Sequence, residues 1–279
     1  MVRLILEGGG MRGTYTAGVL DCFLDNNIEI DDIVGVSAGI CTGINYVSKQ
    51  KFRSLSVNTK YLDHGRYVGI KNLLSTGSIF NMNLLFKRIP DELEPFDYKT
   101  YNNSGKRVTS VATSCETGKA EYFDVSKLTR GNLEKIQASA SIPLLAKPVE
   151  IDGKMYWDGG VADSIPIEWS IKNGADKNII VLTRPLGYRK EVKPHSPVTD
   201  KVLRKYPEIA KTYAKRDEEY NASLELCEAE AAAGRAIIIA PSDTEGVSRL
   251  TKDRVKLVKL YKRGYSDAEK MIDKIKEFI

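Results

Sequence analysis

Ser37 sits at the centre of Gly35-Val36-Ser37-Ala38-Gly39, just after the apolar run Ile33-Val34. The residues that follow, Ile40-Cys41-Thr42-Gly43-Ile44-Asn45-Tyr46-Val47, place apolar side chains at 40, 44 and 47, which is helical spacing. A strand that turns directly into a helix with Ser at the apex is the geometry of a nucleophile elbow. The turn closes only if the residues two before and two after the Ser are nearly free of side chain, and Gly35 and Gly39 meet that demand. The chemistry would be attack by a serine hydroxyl on an acyl carbon. The same letters also fit a glycine-rich strand–helix joint with an ordinary serine, so the motif alone leaves both readings open.

Two further glycine-bearing turns bear on the choice. Gly8-Gly9-Gly10-Met11-Arg12-Gly13 follows the apolar stretch 2–6 and precedes a helical pattern with Tyr15, Val19, Leu20, Phe23 and Leu24 on one face. Its spacing matches a dinucleotide fingerprint, but that fold wants an acid at the end of its second strand, and here that strand runs into Ser37. A phosphate-binding loop is excluded because no Gly-Lys-Ser/Thr follows. The favoured reading is a cradle of backbone N–H groups for a developing oxyanion, on the strand next to the elbow and at the same edge of a parallel sheet. The third turn, Trp157-Asp158-Gly159-Gly160, puts a carboxylate at a strand end, although Asp before Gly is also a common turn pair. His64, beside Asp63, and His195 belong to no motif, so a histidine-based triad has little support.

The elements that must hold these turns can be read from the rest of the chain. A hairpin is expected over 107–113 and 120–124, a helix over 128–139 that runs into Ala138-Ser139-Ala140-Ser141-Ile142-Pro143, and a buried strand over 178–182. Short helices over 73–80 and 83–88 would wall the substrate. A long helix is expected from Pro207 to Ala233 with Gly234 after it, then a strand over 236–240. Two terminal helices are expected over 251–263 and 266–279, the second opened by the capping box Ser266-Asp267-Ala268-Glu269. Lys252, Arg254, Lys256, Lys259, Lys262 and Arg263 make that end basic. This fits a solvated face or, more sharply, peripheral docking on an anionic membrane.

Composition sets the limits. A chain of 279 residues with 42% hydrophobic and 28% charged residues can bury a substantial core, and a net charge of +5 is too small to argue for nucleic acid. Cys22, Cys41, Cys115 and Cys227 are scattered without a Cys-x-x-Cys pair, so neither a disulfide framework nor a zinc site is suggested. With no secretory leader and no run of about 18 apolar residues, the expectation is a cytoplasmic protein with reduced thiols, with no cofactor and no metal.

Taken together, Gly8-Gly9-Gly10-Met11-Arg12-Gly13, Gly35 to Gly39, the 138–143 block and Asp158-Gly159-Gly160, in that order, resemble the patatin-like phospholipase family over residues 3–185. The resemblance implies a three-layer α/β/α sandwich with a central, mostly parallel sheet. Residues 1–185 would form the catalytic core and 186–279 a mostly helical C-terminal extension. It also implies a serine lipid acyl hydrolase working through a Ser-Asp dyad and an acyl-enzyme. Ser37 would attack, Asp158 would take the proton, and the amides of Gly9, Gly10, Met11 and Arg12 would hold the oxyanion. The alternatives are a nucleotide-binding module built on the same loop and a catalytically silent relative that binds lipid.

Overall fold

The computed structural model describes residues 1–279 except 63–66, 193 and 195 and the side chain of Val198. Strand β1 (Val2–Leu6) is covered on both sides: Leu4 and Leu6 pack into one apolar layer and Ile5 into the other. A strand buried on two faces reads as a continuous apolar run rather than an alternation. β2 (Asp32–Val36) and β7 (Lys177–Val181) flank it in parallel, with β3 (Arg107–Ser114) beyond β2 and β8 (Ala236–Ile239) beyond β7. Three strands run antiparallel to their partners: β4 (Ala120–Asp124) on β3, β6 (Lys154–Asp158) on β3, and β5 (Val149–Ile151) on β6.

The helices form the outer layers. α1 (Gly13–Asp25), α2 (Ala38–Val47), α10 (Arg254–Glu269) and α11 (Ile272–Phe278) cover one face through Tyr15, Ile40, Leu257 and Ile275. α7 (Ile167–Lys172) and α9 (Pro207–Ala232) cover the other, α9 through Tyr220, Leu224 and Cys227 at helical spacing. α3 (Arg53–Lys60), α4 (Ile70–Thr76), a π-helical segment (Leu84–Leu93) that contains Pro90, and α5 (Tyr98–Asn102) lie between β2 and β3 in the chain. α6 (Glu134–Ser139) precedes β5, and α8 (Pro197–Leu203) precedes α9. The result is the expected α/β/α sandwich around a mostly parallel sheet. Residues beyond 185 are built into it, since β8 extends the sheet and α10 lies against α1.

The pairing of β3 fixes the site. β4 pairs with Thr109–Thr113 on one edge, so β2 and β6 must share the other. Along that shared edge Val36 is opposite Val111, and the next residue, Ala112, is opposite Asp158. The end of β6 therefore arrives where β2 turns away. At the opposite end of these strands, Arg3 is fully buried and donates to Asp32 Oδ2 at 2.9 Å, to Ser170 O at 2.8 Å and to Asn173 O at 3.1 Å. Arg107 also donates to Asp32 through Nε at 2.9 Å. A buried charge needs such partners.

Two expectations about helices need correction. Residues 128–133 are not helical, because Gly131 takes a φ of +77° and Thr129 bridges to Asn132; the helix there is only Glu134–Ser139. The terminal helices divide at 270–271 and not near 264, so Ser266 lies inside α10 and caps nothing. Gly264 is a packing residue and not a stop: a Cβ there would lie 2.1 Å from Tyr15 O, and one at Gly18 would lie 2.0 Å from Tyr261 O. The two helices thus touch backbone to backbone. In the basic run, Lys259 and Arg263 pair with Glu245, and Arg254 donates to Thr59 O at 3.1 Å, while Lys252, Lys256 and Lys262 are exposed. No helix among the described residues is long and apolar enough to cross a membrane.

Replacing Gly264 by Leu should force α10 off α1 and destabilise the fold by about 1–3 kcal/mol or more. The check is a urea titration, in which the midpoint should fall while the slope stays constant.

Candidate active site

Ser37 takes φ 54° and ψ −123°, a conformation that costs a non-glycine residue about 1–3 kcal/mol and persists only where its surroundings hold it. The flanking glycines are needed for the predicted reason. A Cβ at Gly35 would lie 2.7 Å from Ile40 Cα, and one at Gly39 would lie 2.3 Å from Leu6 O. The Ser37 N–H donates to Ser139 Oγ at 2.9 Å. Asp158 is held from the same side, because its N–H donates to Ser141 O at 2.8 Å. Its Oδ1 accepts the Gly160 N–H at 2.7 Å and its carbonyl accepts from Thr113 Oγ1 at 2.9 Å. The 138–143 block thus ties both candidate residues together.

Ser37 and Asp158 line the same cavity, and the Ser37 hydroxyl is among the groups that favour the ionised Asp158 carboxylate. The two side chains make no hydrogen bond of ordinary length and angle, and catalytic hydrogen bonds often tighten only when substrate binds. Burial pushes the Asp158 carboxyl above the ordinary carboxylate range. The Ser37 hydroxyl, the Gly160 N–H, Arg216 and Arg249 oppose that shift. Cys41, one turn into α2, has its thiol pushed up to about 12, chiefly by burial, which leaves it unreactive. His64 lies outside the described residues, and so does His195.

The glycine loop supplies fewer donors than its sequence promises. The Met11 N–H donates to Arg249 O at 3.1 Å and the Arg12 N–H to Gly9 O at 3.2 Å, so neither is available to an oxyanion. Among the described residues, no acceptor meets the N–H of Gly9 or Gly10, and both residues line the space over Ser37. The buried Glu7 anchors the start of the loop, accepting from Thr183 Oγ1 at 3.0 Å and from Tyr220 OH at 2.9 Å. Gly10 has a φ of +56°, and a Cβ there would lie 2.6 Å from Arg249 O. The C-terminal segment therefore packs directly on the loop, which no motif in the sequence announces.

Two chambers meet at Gly10, Ser37 and Ile142. The smaller, of about 140 Å³, is apolar and lined by Val57, Phe80, Leu85, Phe86, Ile89 and Phe96 among others, so the unreadable 50–100 stretch does form a wall. The larger, of about 890 Å³, is lined by Arg12, Arg184, Lys190, Arg216 and Arg249 with Tyr188 and Tyr220. Crowding and burial weaken the hold of these cations on their protons. Arg12 falls to about 10 through burial and then Arg184, and Lys190 to about 7 through burial and then Arg216. Among the described residues, no cluster of three His, Cys, Asp or Glu side chains could hold a metal.

The family description "Patatin-like phospholipase" matches residues 4–169. The chain belongs to that family. A second description, "Domain of unknown function (DUF6363)", matches residues 206–279. Among curated relatives, "Uncharacterized protein YjjU" of Escherichia coli is 28% identical over 66% of this chain and 52% of its own length. "Probable lipid hydrolase 463L" of Invertebrate iridescent virus 6 is 28% identical over 63% of this chain and 65% of its own. "Lysophospholipase NTE1" of Candida albicans is 29% identical over 65% of this chain but only 13% of its own length. This patatin-family chain thus spans about half to two thirds of the first two relatives and a small part of the third.

Ser139→Ala would leave the Ser37 N–H buried without its acceptor, a loss of about 1–3 kcal/mol in holding the elbow. The rate at which a fluorophosphonate labels Ser37 should drop roughly 5- to 100-fold, and Ser139→Thr should restore most of it.

Proposed function

We propose that the chain is a serine lipid acyl hydrolase that cleaves carboxylic esters through Ser37, Asp158 and an acyl-enzyme. The observation that carries this reading is that Ser37 and Asp158 share one cavity, with Ser37 at the point where an apolar chamber meets a cationic one. An acyl chain in the first chamber and a polar leaving group in the second would place the ester carbonyl over Ser37. Ser37 Oγ then bonds to the carbonyl carbon while Asp158 takes the hydroxyl proton. The carbonyl oxygen becomes an oxyanion facing the Gly9 and Gly10 N–H groups. Collapse breaks the bond to the alcohol, which leaves with the proton from Asp158. Water repeats the cycle on the acyl-enzyme and releases the fatty acid.

An aspartate with an ordinary pKa of about 3.9 is a weak base for a serine hydroxyl. Burial makes Asp158 a stronger one. Each oxyanion donor is typically worth about 10²–10³ in rate, so the two glycine N–H groups can carry much of the rest. The names of the viral and Candida relatives, a lipid hydrolase and a lysophospholipase, favour lipid esters over other acyl substrates. Contact with an anionic lipid surface through Lys252, Lys256 and Lys262 would bring the site to such substrates. A nucleotide site is the weaker reading, since the glycine loop opens onto Ser37 and not onto an acid placed for a ribose.

Ser37→Ala and Asp158→Asn should each lower hydrolysis of a p-nitrophenyl acyl ester by about 10³-fold or more, with the fold intact by circular dichroism. Turnover near wild type in either would remove the dyad. The active form carries Asp158 ionised, so kcat/KM should fall as pH drops through its folded pKa, with a midpoint above about 3.9. Because that pKa is raised on folding, the carboxyl favours the fold only while protonated, and the benefit is lost as pH rises through the folded value. The inactive Asp158→Asn protein should therefore melt at a higher temperature than wild type at pH 8.

A further inference from the structure

The cationic chamber has more positive groups than its own fold uses. Among the described residues, Arg12, Arg184, Arg216 and Arg249 have no carboxylate within ion-pair distance, although all four line one cavity beside Ser37. Arg12 is only 4% exposed and its Nε meets no acceptor. Arg216 donates through Nε to Gly160 O at 2.6 Å, and Arg184 and Arg249 make no side-chain hydrogen bond within the described residues. The acids nearby are engaged elsewhere. Glu7 accepts from Thr183 and Tyr220, Asp158 faces Ser37 and Gly160, and Asp217 pairs with Lys190 at 3.4 Å, while Glu191 lies exposed at the rim. Arg12 feels Arg184 and Arg249, and Arg216 feels Arg249; Glu7, Asp158 and Asp217 offset this only from a distance, and a bound dianion would relieve the repulsion that is left.

We infer that this cluster holds a phosphomonoester on the leaving group of the substrate, which makes the 206–279 segment a reader of anionic head groups. The inference rests on the hydrolase reading for the identity of the substrate, but not for the existence of the anion site. Guanidinium groups match phosphate oxygens through paired N–H donors. The chamber meets the apolar one at Ser37, so an acyl chain in the apolar chamber leaves the cationic one for the alcohol part of a lipid ester. Choline-type head groups fit poorly, because a quaternary ammonium needs an open aromatic face. Both tyrosines of the chamber are already covered: Arg184 stands 4.4 Å over Tyr188 and Lys190 stands 4.0 Å over Tyr220. Arg216 and Arg249 come from the segment of unassigned function, Arg184 from the connection before it, and Arg12 from the glycine loop. The segment thus completes a substrate pocket begun by the patatin core.

The test compares three single-chain lipids with the same acyl group, below their micellar concentrations: 1-oleoylglycerol 3-phosphate, 1-oleoylglycerol and 1-oleoylglycerophosphocholine. Wild-type kcat/KM should favour the phosphomonoester by at least tenfold over each of the others. Arg184→Gln combined with Arg249→Gln should reduce that preference roughly 10- to 100-fold, and the Lys versions should recover part of it. In parallel, calorimetry on Ser37→Ala measures binding of the same lipids and of inorganic phosphate without turnover. Equal kcat/KM for all three lipids, or a preference that the Gln variants keep, overturns the head-group site and leaves the hydrolase standing. No hydrolysis by wild type together with arginine-dependent binding of the phosphomonoester removes the hydrolase and keeps the site. Inorganic phosphate bound as tightly as the lipid overturns the head-group assignment in favour of a free-phosphate site. A melting curve and circular dichroism on each variant separate lost binding from lost folding, and the single Arg184→Gln variant gives a second reading if the double one does not fold.

Discussion

The structure depends on one strand having two neighbours along a single edge. β3 pairs with β2 as far as Val111 and passes the next residue, Ala112, to β6. Residues 37 and 158 are 121 positions apart in the chain, but the hydrogen-bond ladder of β3 sets them side by side with no freedom of register. The other contacts at the site refine that placement. Ser139 Oγ takes the N–H of one residue and Ser141 O the N–H of the other, so the two cannot drift apart without breaking a shared support. A carbonyl in the way also limits change at the joint: a Cβ at Gly159 would lie 2.2 Å from Val111 O.

Electrostatics then divides the site in two. In one chamber at Ser37 aromatic and aliphatic residues of the π-helical segment and α3 line a mostly apolar space, and in the other guanidinium groups gather. Asp158 lines the cationic side, its charge penalised by burial and favoured by Arg216 and Arg249. The base and the cationic pocket are therefore coupled: the arginines that would attract an anion also take back part of the basicity that burial gives the carboxylate beside them. Lys190, ion-paired to Asp217 and stacked on Tyr220, closes the far wall.

Much of this was legible in the sequence where local chemistry decides the outcome. The elbow, the hairpin of β3 and β4, the long helix α9 closed by Gly234 and the strand β7 all follow from spacing and from Gly and Pro placement. Reading failed where a distant partner decides. The sequence of the 8–13 loop gives no sign that the Met11 N–H is taken by the carbonyl of Arg249, about 240 positions away, which leaves Gly9 and Gly10 as the open donors. The sequence pattern puts a break between helices at 264–265, yet α10 passes through it because the backbone of Tyr15 lies against Gly264. Only the fold reveals what the serines of the 138–143 block grip. The arginine cluster was invisible for the same reason, its members being scattered over four separate segments.

The backbone contact between α1 and α10 has a consequence for synthesis. The helix that follows the glycine loop leaves the ribosome more than 200 residues before the helix that seals it is made. Until then the groove left by Gly18 lacks its cover, and Tyr15 and Asp21 lack their partners Asp267 and Tyr261. A nascent chain must hold that groove open while the intervening residues are made, so chaperone capture and delayed completion of the sandwich are to be expected of this topology.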